Sequence, residues 1–377
     1  MATTAFDFII IGGGISGLVL SWKLEQKYPQ AKILILEKQS KIGGRLKMAY
    51  FQGHHVVTGA GICRALKDHR LINLMKEVGM KVAPIQTSIT EAPIPCSILE
   101  IVKELKTKPF DRSKEDFETF YQRNRDDLDE FTLCVGYTDY LKADIVDTLY
   151  DYGFDDCLKR LKIIPMNWDE LVDRVAGKLK KTTILCDSDV LEVHPEQKTV
   201  QTKEGKHYKF RKSVIYATTK SGLESLCGMD TFFYQQAKNV QAQPFIRIYT
   251  KTNLPLSDHA QKVSTPLQKI IPIDSKQHIY MIAYADNKNA KILYHGKSFE
   301  NFLPRPDVEI LDYQKFYHKE GTHYYRPLPS FWKSRDLYVE YMQHPHGNVW
   351  IVGEMISMDQ GWTEGALDSI ERIIGKI

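Results

Sequence analysis

Cysteine is scarce in this chain, at 6 of 377 residues, and no two cysteines form a CxxC pair or stand with a histidine at metal-ligand spacing. That pattern predicts neither a disulfide framework nor a zinc site, and it fits a reducing, cytoplasmic setting. His54, His55 and the HPH triplet at 344–346 lack any accompanying carboxylate or cysteine cluster, so no metal is expected. An excess of one charge is also missing. The 51 basic and 47 acidic residues are largely interspersed and leave a net charge of +4, too even a mixture to imply a nucleic-acid partner. The short runs KLKK (178–181) and KFRK (209–212) read as solvated edges. No apolar run reaches the ~18 residues that a membrane helix needs. Low-complexity tracts and Pro/Gly/Ser-rich linkers are absent too. What remains is a folded chain, 43% hydrophobic, with enough apolar residues for one large domain or two ordinary ones.

The most apolar stretch, FDFIIIGGGISGLVLSW at 6–22, is interrupted by three adjacent glycines. Nothing basic precedes it and Asp7 sits inside it, which excludes a secretory signal. Lys23 and Glu25 follow too soon for a membrane span. Residues 6–11 form a continuous apolar run, as in a strand covered on both faces. From Ile15 the period changes: Ile15, Leu18, Val19 and Trp22 fall on one stripe of a helix. A second apolar run at 33–36 ends at Glu37. This is the β-α-β unit that holds a dinucleotide. Gly12 permits the tight turn, Gly14 lets a pyrophosphate approach the backbone, and Gly17 lets helix pack on strand. Free N–H groups at the helix start meet the phosphate charge, and Glu37 is placed to accept hydrogen bonds from the adenosine ribose.

Beyond Glu37 stands IGGRL, with Gly43, Gly44 and Arg45. Near the other end stands NVWIVGEMISMDQGWTEGALDSIERI (348–373), which reads as a short strand, a loop and a helix from Thr363. Together these segments resemble the flavin-containing amine oxidase family, whose nucleotide fold is like that of glutathione reductase. The resemblance implies non-covalent FAD held by Gly12, Gly14, Ile15, Ser16, Gly17, Glu37, Lys38, Gly44 and Arg45 at the phosphate and ribose end. It places Gly353 and Glu354 near the ribityl chain, and Trp362, Thr363 and Ala366 at the flavin ring. VVTGAGICR (56–64) occupies the place of the family's small-residue loop over the flavin, giving Gly59, Ala60, Gly61 and Ile62 as candidates. Residues 183–219 look like the family's β-meander and return strand, with Val190 matching the residue whose backbone holds the adenine. The segment EGTHYYRP, which matches the family's covalent cysteine region, contains no cysteine.

The implied fold class is α/β: a Rossmann-like FAD-binding domain with a β-meander, interleaved with an α+β substrate domain. The FAD-binding parts are expected at 1–80, 182–240 and 345–377. The substrate domain is expected at 81–181, with charged amphipathic helices such as 167–180, and at 241–344, with strands such as 245–249 and 278–284. The implied activity is hydride transfer from the α-carbon of a small amine or amino acid to flavin, with dioxygen as acceptor and hydrogen peroxide as product. No membrane anchor and no nucleic-acid partner are expected.

Among catalytic candidates, Trp362 matches one wall of the family's aromatic cage, and Tyr325 or Tyr324, with Trp332 behind, stands for the other. Core packing explains the tyrosine pair equally well; Tyr280 and Tyr284 are weaker candidates. Many members carry a lysine on a substrate-domain strand, where FIRIYTK (245–251) has Arg247. Arginine stays charged and shuttles no proton. It serves to stabilise reduced flavin, to bind a carboxylate, or to form an interface salt bridge. Two alternatives share the fold: a flavin desaturase or isomerase acting on a larger apolar molecule, and a non-catalytic FAD-binding interaction protein.

Overall fold

The computed structural model describes residues 5–87, 91–154, 161–296 and 298–377, and Cys157 lies outside them. The first strand, Ala5–Ile11, pairs in parallel with Ile33–Leu36 on one side and with His207–Tyr216 on the other. The sheet continues outward to Thr183–Leu185 at one edge. Past His207–Tyr216 it runs through an antiparallel meander, Thr199–Thr202 and Val190–His194. Val349–Ile351 adds a parallel strand beside Val214–Tyr216. Chain segments from the beginning, middle and end thus meet in one seven-stranded sheet.

Alternation along the apolar runs explains why both faces of this sheet are covered. Phe8, Ile10, Ile33, Ile35 and Ile215 face one core, and Ile9, Ile11, Leu34, Leu36, Val214 and Tyr216 face the other. The first core is closed by the first helix, Ile15–Lys27, and the last helix, Thr363–Ile374. The second is closed by Val339 and Met342 of the helix Arg335–Gln343.

The amphipathic segment at 167–180 forms a shorter helix, Trp168–Ala176, which Asn167 caps by accepting from Glu170 N–H. Gly177 ends it, consistent with glycine's weak helix preference. Its apolar face, Leu171, Val172 and Val175, packs in the same core as the first helix.

A second, antiparallel sheet has five strands, in the order Gln261–Lys262, Lys269–Asp274, Ile279–Asp286, Val240–Thr252 and Ile310–Tyr325. The strands expected at 245–249 and 278–284 are parts of Val240–Thr252 and Ile279–Asp286, and His278 occupies the preceding turn at φ +57°. Three short helices, Ile98–Leu105, Phe117–Asn124 and Leu128–Val135, gather a separate aromatic core around Phe117, Phe120 and Phe131.

One sequence expectation is corrected here. Cys96 and Cys134 are joined by a disulfide with Cα atoms 5.6 Å apart, tying the approach of one helix to the end of another. Their separation of 38 residues carries no motif, because helix packing alone brings them together. Among the described residues Cys63, Cys186 and Cys227 are free. No helix among them is long and apolar enough to cross a membrane, and no group of His, Cys, Asp or Glu among them is arranged to hold a metal.

Candidate functional site

One cavity of about 1830 Å³ runs from the end of the first strand to the second sheet. At its start the glycines do different work. Gly12 has φ +107°, and a Cβ there would lie 2.4 Å from Ala217 O. A Cβ on Gly17 would lie 2.1 Å from Gly12 O, so the first helix packs against the turn at a distance only glycine allows. Gly14 differs: its Cβ would meet nothing nearer than Gly44 Cα at 4.0 Å. It begins the first helix with no side-chain cap, and Gly14, Ile15 and Ser16 line the cavity. Gly44, with φ +59°, approaches from the opposite side.

Glu37 ends the second strand, 5% exposed, and lines the cavity together with Lys38 and Val190. Its carboxylate accepts Gly13 N–H at 2.7 Å and Gln39 N–H at 2.8 Å. The side chain expected to meet a ribose therefore also fixes the glycine turn, with acceptor capacity to spare.

Midway, Arg45 pairs with buried Glu354 and donates to Gly321 O at 2.8 Å. His323 Nδ1 lies 2.6 Å from the same carboxylate, and Gly361 N–H donates to its other oxygen at 3.0 Å. Burial works against a charge on Glu354, but His323 and Arg45 outweigh it and hold the carboxyl well below the usual range. Gly353, at φ +116°, places Glu354 in this position. The 59–62 loop packs on Arg45: a Cβ on Gly59 would lie 2.0 Å from Arg45 O, and Ala60 N–H donates to that oxygen at 3.1 Å. Ala60, Gly61 and Ile62 continue along the cavity wall.

The last helix starts at the cavity too. Trp362 occupies its N-cap position without a side-chain cap, and Thr363 and Ala366 line the wall. The indole is covered by Arg64, whose guanidinium carbon lies 3.8 Å from the ring centre. Arg64 is held by Asp68 at 2.7 Å and by Asp359 at 3.3 Å.

Tyr324 and Tyr325 both border the cavity, but most of the Tyr325 side chain is committed to the core. It is 1% exposed, and its hydroxyl donates to Ser357 O at 3.0 Å and accepts from Ser357 N–H at 3.1 Å. Its ring packs edge-on against Tyr338 at 5.3 Å. Strand alternation sends neighbouring side chains to opposite faces, and Tyr325 is the one that serves the core. Among the described residues neither Tyr324 nor Tyr325 makes a ring contact with Trp362.

Residues 10–78 match the NAD(P)-binding Rossmann-like domain. An uncharacterized protein of Acanthamoeba polyphaga mimivirus is 33% identical over 81 residues, 21% of this chain and 16% of that protein. Flavin-containing amine oxidase A of Equus caballus is 32% identical over 81 residues, 22% of this chain and 15% of the relative. These curated matches thus span less than a fifth of either relative. Whole-chain similarity comes from structure. Putrescine oxidase bound to putrescine aligns with a TM-score of 0.73, covering 99% of both chains at 13% identity. A double mutant of putrescine oxidase redesigned in its cofactor site gives 0.74, again over 99% of both chains and at 13% identity. The chain has the fold of putrescine oxidase.

Within this fold, the far end of the cavity is lined by Gly61, Phe245, Arg247, Met281 and Tyr284. Arg247, on the strand Val240–Thr252, is 2% exposed. Its Nε–H donates to Gly59 O at 3.1 Å, its Nη1 lies 3.3 Å from Met281 Sδ, and its guanidinium stacks on Tyr284 at 3.9 Å. Among the described residues no carboxylate lies within ion-pairing distance of Arg247, so the salt bridge weighed from sequence is replaced by stacking and one carbonyl contact. His318 lies nearby, its Nε2 2.9 Å from Thr58 O and its ring 4.7 Å from that of Phe245. Burial pushes this imidazole down to about 4, and Arg45 and Arg247 add to the effect. It is therefore neutral at pH 7, and the contact with a carbonyl assigns the proton to Nε2.

Arg64, His318 and His323 are not among the sequence candidates, although all three stand inside or beside the motifs VVTGAGICR and EGTHYYRP. Nor are Asp139 and Asp286, which border the cavity beyond Tyr284. Asp286 accepts from Thr138 N–H at 2.9 Å and Gln268 Nε2–H at 3.0 Å, and Asp139 accepts from the Tyr152 hydroxyl at 2.5 Å. Burial and the neighbouring Asp286 push Asp139 up to about 7. No local motif signals this pair, which only the tertiary fold brings together.

Proposed function

We propose that the chain binds FAD non-covalently along this cavity and oxidises a small amine or amino acid, with dioxygen as electron acceptor and hydrogen peroxide as product. The observation that carries the reading is the continuity of one cavity from the uncapped start of the first helix, past Arg45, to the uncapped start of the last. The residues fit such a group. Gly14 leaves open space beside free helix N–H groups, where a pyrophosphate gains from the dipole. Arg45 supplies positive charge midway, and Glu37 an acceptor at the ribose end. The volume exceeds the ~300–1,000 Å³ of ordinary ligand pockets, leaving room for an extended dinucleotide and a substrate. Among the described residues no cysteine lines the cavity, which supports non-covalent attachment.

Bound there, FAD supplies a two-electron acceptor for a hydride from the carbon next to the amine. The chain's own part is to bind and orient. The helix N–H groups behind Trp362 stabilise negative charge developing at that end. The aromatic surroundings of Phe245 and Tyr284 exclude water and favour the uncharged amine. The Arg45–Glu354–His323 cluster fixes three segments of the wall relative to one another.

Anaerobic addition of a panel of amines and amino acids to purified yellow protein tests the reading. Bleaching by one of them, followed by peroxide on readmitting air, is the expected result. Protein that keeps its colour with every compound would transfer the weight to a desaturase, isomerase or non-catalytic role.

A further inference from the structure

Arg247 raises a question that the proposed oxidation leaves open. A guanidinium offers five N–H donors in a fixed planar fork. Here, at 2% exposure, Nε–H meets one carbonyl and Nη1 meets a thioether. Burying a cation without a counter-charge is costly, and proteins ordinarily pair it. Among the described residues no carboxylate forms an ion pair with Arg247. Tyr249, which donates its hydroxyl to Val57 O and also hydrogen-bonds with the guanidinium, carries no charge, His318 is neutral, and Tyr284 and Phe245 offer ring faces. Asp286 is engaged by Thr138 and Gln268, and Asp139 by Tyr152.

The fork borders the cavity. Gly61 lines the wall next to it, and a Cβ at that position would come within 2.9 Å of Nη2. Glycine therefore lets the backbone of the loop lie against the guanidinium without a side chain covering it. Tyr284 holds the plane from one side at 3.9 Å. The fork is thus pre-oriented in a poorly solvated site, the condition under which bidentate carboxylate recognition is strong.

We propose that Arg247 is the receptor for a substrate carboxylate, so that the amine oxidised at this site is a carboxylate-bearing one, of which the α-amino acids are the smallest class. This rests on the oxidase reading given above. The ring faces of Phe245 and Tyr284 beside the fork suit a substrate with an apolar or aromatic side chain.

The test is calorimetric titration of purified protein with 3-phenylpropionate, which has a carboxylate and no amine, and with 3-phenylpropan-1-amine, which has the reverse. The wild type is compared with Arg247→Met and Arg247→Lys, and the flavin content of each protein is read from its visible spectrum. Phenylpropionate is expected to bind the wild type and to lose about 30-fold or more in affinity in Arg247→Met. Arg247→Lys, which keeps the charge and loses the fork, is expected to fall between them, while affinity for the amine does not decline. A purely structural role for Arg247 would weaken both ligands together. Failure of phenylpropionate to bind the wild type, or equal binding by wild type and variants, overturns the proposal. If Arg247→Met does not fold, Arg247→Lys carries the comparison, and unchanged carboxylate affinity there overturns it too. Wild-type protein that contains no flavin would sink the oxidase reading instead, while the calorimetry, which needs no colour, still decides the role of Arg247.

Discussion

Replacing Glu354 with glutamine should destabilise the protein by an amount the structure lets one work out. The carboxylate is 4% exposed and receives Arg45, His323 and Gly361 N–H. The glutamine amide has the same shape, but its NH₂ must face one of those donors. Breaking a buried ion pair costs about 3–5 kcal/mol. Arg45 keeps 27% side-chain exposure and so recovers some hydration, which argues for the lower end, about 3 kcal/mol. Unfolding entropy of about 2.1 cal/mol/K per residue gives about 0.8 kcal/mol/K for a chain of this length, so the melting temperature should fall by about 4 °C. Because folding depresses the Glu354 pKa, its contribution is fully present above the usual value of 4.5 and is lost as pH falls below it. Thermal melts followed by circular dichroism at pH 7 and pH 3.5 test both statements. The gap between Glu354→Gln and wild type should be full at pH 7 and smaller at pH 3.5. Equal melting temperatures at pH 7, or a gap that widens in acid, would refute the reasoning.

Other predictions follow from single contacts. Gly17→Val, whose Cβ would sit 2.1 Å from Gly12 O, must displace the first helix and should lower both the melting temperature and the flavin content, read by scanning calorimetry and absorbance. His318 is held neutral down to about 4 against an ordinary 6.5, so stability should decline as pH falls through that interval, and His318→Gln should flatten the decline in urea titrations. The Cys96–Cys134 link closes a 38-residue separation, for which the loop-entropy relation gives about 4 kcal/mol. Cys96→Ser should lower the urea midpoint accordingly, and denatured, unreduced wild type should show two fewer reactive thiols than the reduced chain.

Local patterns in the sequence account for much of the nucleotide end. The change of period at Ile15 places a helix start beside a glycine turn, and the structure has both. The terminal motif places a helix at Thr363, where it begins. Such features are readable because each depends on a few consecutive residues. Tyr325 is different: strand periodicity tells which residues share a face, while only the position of Ser357 shows that its hydroxyl is taken. Arg64 covering Trp362, the Cys96–Cys134 link and the Asp139 and Asp286 carboxylates belong to the same class. Each joins segments distant along the chain, and no spacing rule connects them. Helix 168–176 was legible as a helix, but its packing partner was not, since an apolar stripe does not name the surface it covers.

The most direct measurement is the identity and amount of nucleotide released from purified protein by mild denaturation, for wild type and for Gly14→Leu. A Cβ at Gly14 meets only Gly44 Cα, at 4.0 Å, so the ligand-free fold should lose about 1 kcal/mol, the usual cost of an unfavourable N-cap residue. Equimolar, freely released FAD is expected from the wild type and none from a normally folded Gly14→Leu. Release of NAD, flavin that stays with the precipitated chain, or undiminished FAD in the variant would contradict this expectation.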